Sequence, residues 1–407
     1  MANSSKKNIL FIGNYPPPYG GVPRHFEYLM PHLIKQNWSI HVLSGGNSGI
    51  KKQADLTVYK PTQWQRYFSF TRQLFHQPNH PVFQQLKKVA RPDWLRYITY
   101  IEMGRHIIEQ HNIQLISAFN MYSYAPIGAY LSEAYNIPLI VTNFGEFYSH
   151  KTFFQKNPNL TQYVCERSTK LLAMSKHCAD SYSEIGLKPN VTVIPYGVDI
   201  KMFKPDNNGD IIRKRFNLTP TDLVVLFVGR LCHDMGLSTL LEAINQLVLN
   251  KPSIKYIIAG ESGDATKAVQ QLSEKYLKRV FFTTCIPFDE LPLFYAAASI
   301  VVAPTQGARA CGSLAAIEAM STGKPVIAAQ VGGIPEIIQH NITGQLVEAN
   351  NSAMLAENIA KLSELSPVKL NAMGTAARQR VVTIYDESKL DQQFEQFYNS
   401  LLVPHED

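Results

Sequence analysis

Nowhere in its 407 residues does the chain hold an apolar run near the ~18 residues that a membrane-crossing helix needs. Its five cysteines, Cys165, Cys178, Cys232, Cys285 and Cys311, are scattered, odd in number and without a CxxC pair. This pattern argues against a disulfide framework and against a zinc site, and for a reducing compartment, so a cytoplasmic location is expected. Short repeats and low-complexity tracts are absent. The start, Lys6-Lys7 followed by the apolar stretch 9–12, is too brief for a signal peptide, because Asn14 and Pro16-Pro17-Pro18 end it. It reads as a first strand.

What is present describes a globular chain. With 45% hydrophobic and 17% charged residues it can bury a core, and its length suits two domains of roughly 150–200 residues. The net charge of +7 is unevenly placed: residues 1–200 carry 20 Lys and Arg against 11 Asp and Glu, and residues 201–407 carry 19 against 21. The basic excess belongs to the N-terminal half. An anionic partner for that half and a merely solvated basic surface both account for it.

The pattern of elements is α/β. Strands are expected at 8–13, 39–43, 115–119, 138–142, 171–174 and 191–195, separated by helix-length segments. Phe26, Leu29, Met30, Leu33 and Ile34 recur at helical spacing behind Pro23. A second series follows a polar stretch at 205–209, with strands at 224–229, 254–260, 280–286, 300–304, 324–329 and 344–347. Leu237, Leu240, Leu241, Ile244 and Leu247 form an amphipathic stripe between the first two. Helices close the chain at about 352–364, 369–382 and 386–401. Alternation of this kind implies two successive parallel sheets. Residues 62–100 break the pattern, interleaving Trp64, Tyr67, Phe68, Phe70, Trp94 and Tyr100 with Arg66, Arg72, Lys87, Lys88 and Arg96. They suit either an anionic membrane surface or an insertion packed on the first domain.

Ligands of open parallel sheets sit beyond the carboxyl ends of the strands. Three loops there carry chemistry. Gly20-Gly21 precedes a helix and lets the backbone approach an anion, but it is not a GxGxxG fingerprint, so a nicotinamide cofactor lacks support. Gly229-Arg230 follows a buried strand, and a planar guanidinium there suits a diphosphate. Gly312-Ser313 opens a small-residue helix that carries Glu318 and ends at Gly323, with Val331-Gly332-Gly333-Ile334-Pro335-Glu336 beyond it.

Taken in this order, these residues resemble the retaining nucleotide-sugar glycosyltransferases of family four. The likeness extends to Asn14-Tyr15-Pro16-Pro17-Pro18-Tyr19-Gly20-Gly21, to Ile194-Pro195-Tyr196-Gly197-Val198-Asp199, and to Phe203 and Pro205. It covers nearly all the chain except 62–100. The resemblance implies a GT-B fold: two Rossmann-like, doubly wound domains facing a central cleft. Residues 1–205 would bind the acceptor, 206–385 the nucleotide-sugar, and 386–407 would form a helix returning to the first domain. It further implies that Gly229 and Arg230 hold the donor diphosphate, that amides of Gly312, Ser313 and Leu314 cover its phosphates, that Glu318 contacts the ribose, and that Gly20 and Gly21 approach from the first domain. The implied activity is transfer of a sugar from a UDP- or GDP-type donor, with retention, in glycan or glycolipid biosynthesis. No metal and no cofactor are expected, nor is nucleic acid; the acceptor could be lipid-linked, reached at the inner face of a membrane through residues 62–100.

Three positions depart from the family pattern. Met235 stands where a lysine is usual, Ala310 where the first glutamate of a pair is usual, and Phe144 where a histidine often follows the 138–142 strand. Arg309 is a candidate for the missing lysine's charge. Glu146, at the end of that same strand, is a candidate catalytic carboxylate beside Arg230 and Glu318; a capping or solvated glutamate is its ordinary alternative. The departures keep a second reading open, a degenerate binding or scaffolding subunit without turnover.

Overall fold

The computed structural model describes residues 6–16, 21–45, 49–61 and 91–402. Gly20 and residues 62–90 of the aromatic–basic segment lie outside the described residues. The chain divides into two compact units, Met1–Ile194 with Asp391–Asp407, and Pro195–Leu390.

The first unit is built on eight strands: β1 (Lys7–Ile12), β2 (Trp38–Leu43), β3 (Gly49–Gln53), β4 (Leu56–Lys60), β5 (Leu115–Phe119), β6 (Leu139–Asn143), β7 (Lys170–Ala173) and β8 (Val191–Val193). Their order is β3-β4-β2-β1-β5-β6-β7-β8, parallel apart from the β3–β4 hairpin. Ile9, Leu10, Phe11 and Ile12 are wholly buried, as an unbroken apolar run at the centre of a covered parallel sheet requires. Helix Gly21–Lys35 lays Phe26, Leu29, Met30 and Leu33 on that sheet. Phe26 packs against Phe119 with ring centroids 4.2 Å apart.

The described end of the aromatic segment is core. Tyr97, Ile98, Tyr100 and Ile101 lie on helix Arg91–His111 and are buried among Leu10, Ile12 and Leu131. That part follows the packed alternative for residues 62–100.

The second unit holds β9 (Leu223–Val228), β10 (Ile254–Gly260), β11 (Val280–Thr284), β12 (Ile300–Ala303), β13 (Val326–Ala329) and β14 (Gly344–Val347). They are parallel in the order β11-β10-β9-β12-β13-β14. Helix Leu237–Leu247 buries Leu237, Leu240, Ala243, Ile244 and Leu247 against one face. The other face is covered by helices Leu314–Ser321 and Pro367–Ile384, through Ile317, Met320, Ala377 and Val381.

The division between units falls after Ile194, ahead of the polar stretch that suggested 205. The reason is packing: Val198 and Phe203 are fully buried in the core of the second unit. Arg378 fixes this segment by donating to the carbonyls of Phe203 at 2.8 Å and Ile200 at 2.9 Å. At the other end, helix Glu387–Asn399 passes from the second unit into the first at Asp391. Its Tyr398 is wholly buried, with its ring beside those of Phe11 and Trp38 and its hydroxyl 3.3 Å from that of Ser117.

Candidate functional site

In the second sheet the strand order turns on β9 and β12: from β9 the chain winds outward to β10 and β11, and from β12 to β13 and β14. Loops leaving such a pair at their carboxyl ends part company and open a crevice, the usual ligand position of a doubly wound sheet. Both loops here carry an arginine.

After β9, the Gly229 amide donates to the Ala259 carbonyl at 3.1 Å, and Arg230 leaves the sheet with its side chain half-exposed. The chain then makes a single 3-10 turn, His233–Met235, and Gly236 starts helix Leu237–Leu247. The guanidinium of Arg230 stands 3.6 Å from Oδ2 of Asp234, and Arg309 from the loop after β12 pairs with that same oxygen. The two loops are also joined through their backbones, the Gln306 amide donating to the Asp234 carbonyl at 3.0 Å. Met235 offers no charge to this cluster. It is half-buried, packed with the apolar residues under the loop.

Beyond Arg309, Ala310 contributes its carbonyl, which accepts from the Gly333 amide at 2.8 Å. Ser313 caps helix Leu314–Ser321 by accepting from the Ala316 amide at 3.2 Å. The remaining first-turn amides have no partner within the helix, and together with its dipole they favour an anion. Gly312, Ser313 and Leu314 are half-exposed, with Gly312 lying beside Tyr196 and Ile337. Glu318 sits one turn further in and is buried, its Oε2 accepting a 2.8 Å hydrogen bond from the Tyr295 hydroxyl. Tyr295→Phe should lower stability by about 1–3 kcal/mol in urea unfolding, because a buried carboxylate loses a donor. A change below about 0.5 kcal/mol, ordinary for a surface site, would show the contact to be dispensable.

Glu146 and Gly21 belong to the first unit. Gly21 is the first residue of helix Gly21–Lys35. Glu146 follows β6 and is buried, and its Oε2 accepts from the Phe144 amide at 2.9 Å while its Oε1 has no hydrogen-bond partner. Burial pushes its carboxyl up from 4.5 to about 7, with the Phe144 amide pulling partly the other way. Backbone amides of its own loop and of Met121, after β5, hydrogen-bond its carboxyl. The Phe144 ring packs edge-on against Phe119, centroids 5.5 Å apart.

The structure thus places Gly229 and Arg230 at the end of β9, joined through Asp234 to the β12 loop that leads into helix Leu314–Ser321, with Glu318 buried in that helix. Asp234 and Tyr295 are the partners that sequence reasoning missed. Asp234 was detectable as the acid four residues after Arg230; nothing in the sequence pointed from Tyr295 to Glu318. Among the described residues, no group of three or more His, Cys, Asp and Glu could hold a metal ion. No described helix is long and apolar enough to cross a membrane.

Two Rossmann-like units on parallel sheets, with glycine turns and a helix N-terminus at the carboxyl edge, define a GT-B-type α/β protein. Residues 19–201 match the family model described as Glycosyltransferase Family 4, and residues 208–380 the model described as Glycosyl transferases group 1. The chain belongs to this glycosyltransferase family. A D-inositol 3-phosphate glycosyltransferase of Segniliparus rotundus is 32% identical over 46% of this chain and 42% of its own length. The chain spans about half the length of the curated relatives it first matches. Among solved structures, sucrose-phosphate synthase from Thermosynechococcus elongatus superposes with a TM-score of 0.76 at 20% identity, over 97% of this chain and 99% of that one. Anabaena HepE in complex with UDP-glucose gives 0.74 at 20% identity, over 97% and 99%. Likeness at this level of identity establishes the fold.

Proposed function

We propose that the chain is a glycosyltransferase whose second unit binds a nucleotide-sugar and whose basic first unit receives the acceptor. The observation that carries this reading is Arg230, half-exposed at the carboxyl end of β9 and sharing Asp234 with Arg309 of the loop that leads into helix Leu314–Ser321. A guanidinium and exposed amides stabilise negative charge that grows on a departing diphosphate. No metal is needed in that scheme. Gly229 lets the backbone come close, and Glu318, behind the phosphate loop, is the carboxylate for the ribose hydroxyls. A UDP-type donor is supported by the UDP-glucose bound in HepE, and a phosphorylated acceptor by the substrate in the name of the Segniliparus relative. Retention at the transferred carbon is carried over from the family.

Binding of UDP, GDP and ADP, measured calorimetrically on wild type and Arg230→Gln, tests the reading. One of the three should bind, and Arg230→Gln should weaken it about 10- to 150-fold, the loss of one charge-assisted contact. Turnover of the matching nucleotide-sugar should persist in EDTA. If no nucleoside diphosphate or nucleotide-sugar binds wild type, the proposal fails and the scaffolding alternative replaces it.

A further inference from the structure

We propose that Arg309 is a second diphosphate-binding residue, and that Asp234 is a built-in anion which the donor's diphosphate displaces. The inference rests on the donor reading above and goes a step beyond it.

The geometry begins with the sheet. Arg230 follows β9 and Arg309 follows β12, the two strands on which the order turns, so the arginines stand on opposite lips of the same crevice. Their loops hold a fixed spacing. The Gln306 amide bonds the Asp234 carbonyl, and Gly236 packs its Cα directly against the Pro304 carbonyl. Both guanidinium-bearing side chains are 48% exposed, enough to reach a ligand.

Two guanidinium groups that converge repel each other unless an anion lies between them. In this structure the anion is Oδ2 of Asp234, shared by both. The other oxygen, Oδ1, is buried and has no hydrogen-bond partner. A carboxylate serving as a structural tie would have both oxygens satisfied, because an unmet buried acceptor is costly. Asp234 is held through Oδ2 alone, by the hydrogen bond and charge of Arg309 and the charge of Arg230. Its side chain is 34% exposed, so it can turn to water when a stronger anion arrives and recover the hydration that Oδ1 lacks.

Charge favours that exchange. Two guanidinium groups against one carboxylate leave the cluster cationic, and the first turn of helix Leu314–Ser321 adds about half a positive charge. A diphosphate carries more negative charge than one carboxylate and offers oxygens on two phosphorus atoms, one group for each planar fork. The carboxylate holds the two arginines together and lowers affinity by competing with the diphosphate for them.

Calorimetric titration with UDP, GDP and ADP on wild type, Arg309→Gln, Arg309→Lys and Asp234→Asn provides the test, with melting curves to verify folding. Arg309→Gln should weaken the nucleoside diphosphate that wild type binds by about 10-fold or more, and Arg309→Lys by less. The corresponding nucleoside monophosphate should lose less than the diphosphate. Asp234→Asn, which keeps the shape and removes the charge, should tighten binding about two- to fivefold. If wild type binds a nucleoside diphosphate and Arg309→Gln binds it equally well, Arg309 is no ligand and the inference falls while the donor reading stands. If Asp234→Asn weakens binding, the carboxylate positions the arginines instead of competing, and the displacement falls. If wild type binds none of the three, both the inference and the donor reading fall together.

Discussion

Gly236→Ala should destabilise the second unit by about 2–6 kcal/mol in urea unfolding, a large share of the roughly 5–15 kcal/mol that holds a domain together. Two costs add. The residue has φ +79°, where a side chain costs about 1–3 kcal/mol. A Cβ there would also fall inside the carbonyl oxygen of Pro304 and against its carbon, so backbone must move, for another 1–3 kcal/mol or so. Gly186 separates the two terms, because it has the same φ of +79° with nothing within 4 Å of an added Cβ. Gly186→Ala should therefore cost only the first, about 1–3 kcal/mol. Equal losses in the two variants would mean that the β9 and β12 loops part easily, against the close packing described. Gly332, at φ +57° and pressed on the Ala310 carbonyl, belongs with Gly236 in this respect.

Glu146→Gln should flatten the dependence of stability on pH between about 4.5 and 7. The wild-type carboxyl is raised by burial from 4.5 to about 7, so the folded state holds its proton more tightly than the unfolded chain does. Its contribution is complete below about pH 4.5, where both states are protonated, and is lost as pH rises through about 7. The size is about 3 kcal/mol, at 1.36 kcal/mol for each pH unit between the two values. Glutamine keeps an oxygen for the Phe144 amide and has no charge to desolvate. The variant should match wild type near pH 4 and exceed it near pH 8 in denaturant unfolding. Parallel curves for the two proteins across pH 5–8 would show that the buried carboxyl does not titrate in that window.

The sheets were legible because their strands are buried on both faces. Runs such as Ile9-Leu10-Phe11-Ile12 and Val224-Val225-Leu226-Phe227 leave little room for another reading. The β3–β4 hairpin was not legible: β3 is exposed throughout, and β4 buries only Val58 and Tyr59. The polar stretch at 205–209 suggested a division there, but Val198 and Phe203, which precede it, are wholly buried in the core of the second unit. At the candidate site, Gly229-Arg230 and Gly312-Ser313 follow from strand ends and glycine placement. Spacing could not indicate that Arg309 and Arg230 share one carboxylate, since that depends on which strands are neighbours. Nor could the position of Glu146 at a strand end reveal that its carboxyl turns inward.

Tyr398 closes the core around Phe11 and Trp38, yet nearly four hundred residues separate it from the strand it covers. During synthesis the N-terminal sheet therefore leaves the ribosome long before this aromatic plug, and waits with that seam open until helix Glu387–Asn399 has been made. A chaperone that shelters apolar surface has a natural target in that interval, and proteolytic cutting near residue 390 would reopen the seam in the finished protein. The core of the first unit is thus completed only after the chain of the second has been made, although each has a sheet of its own.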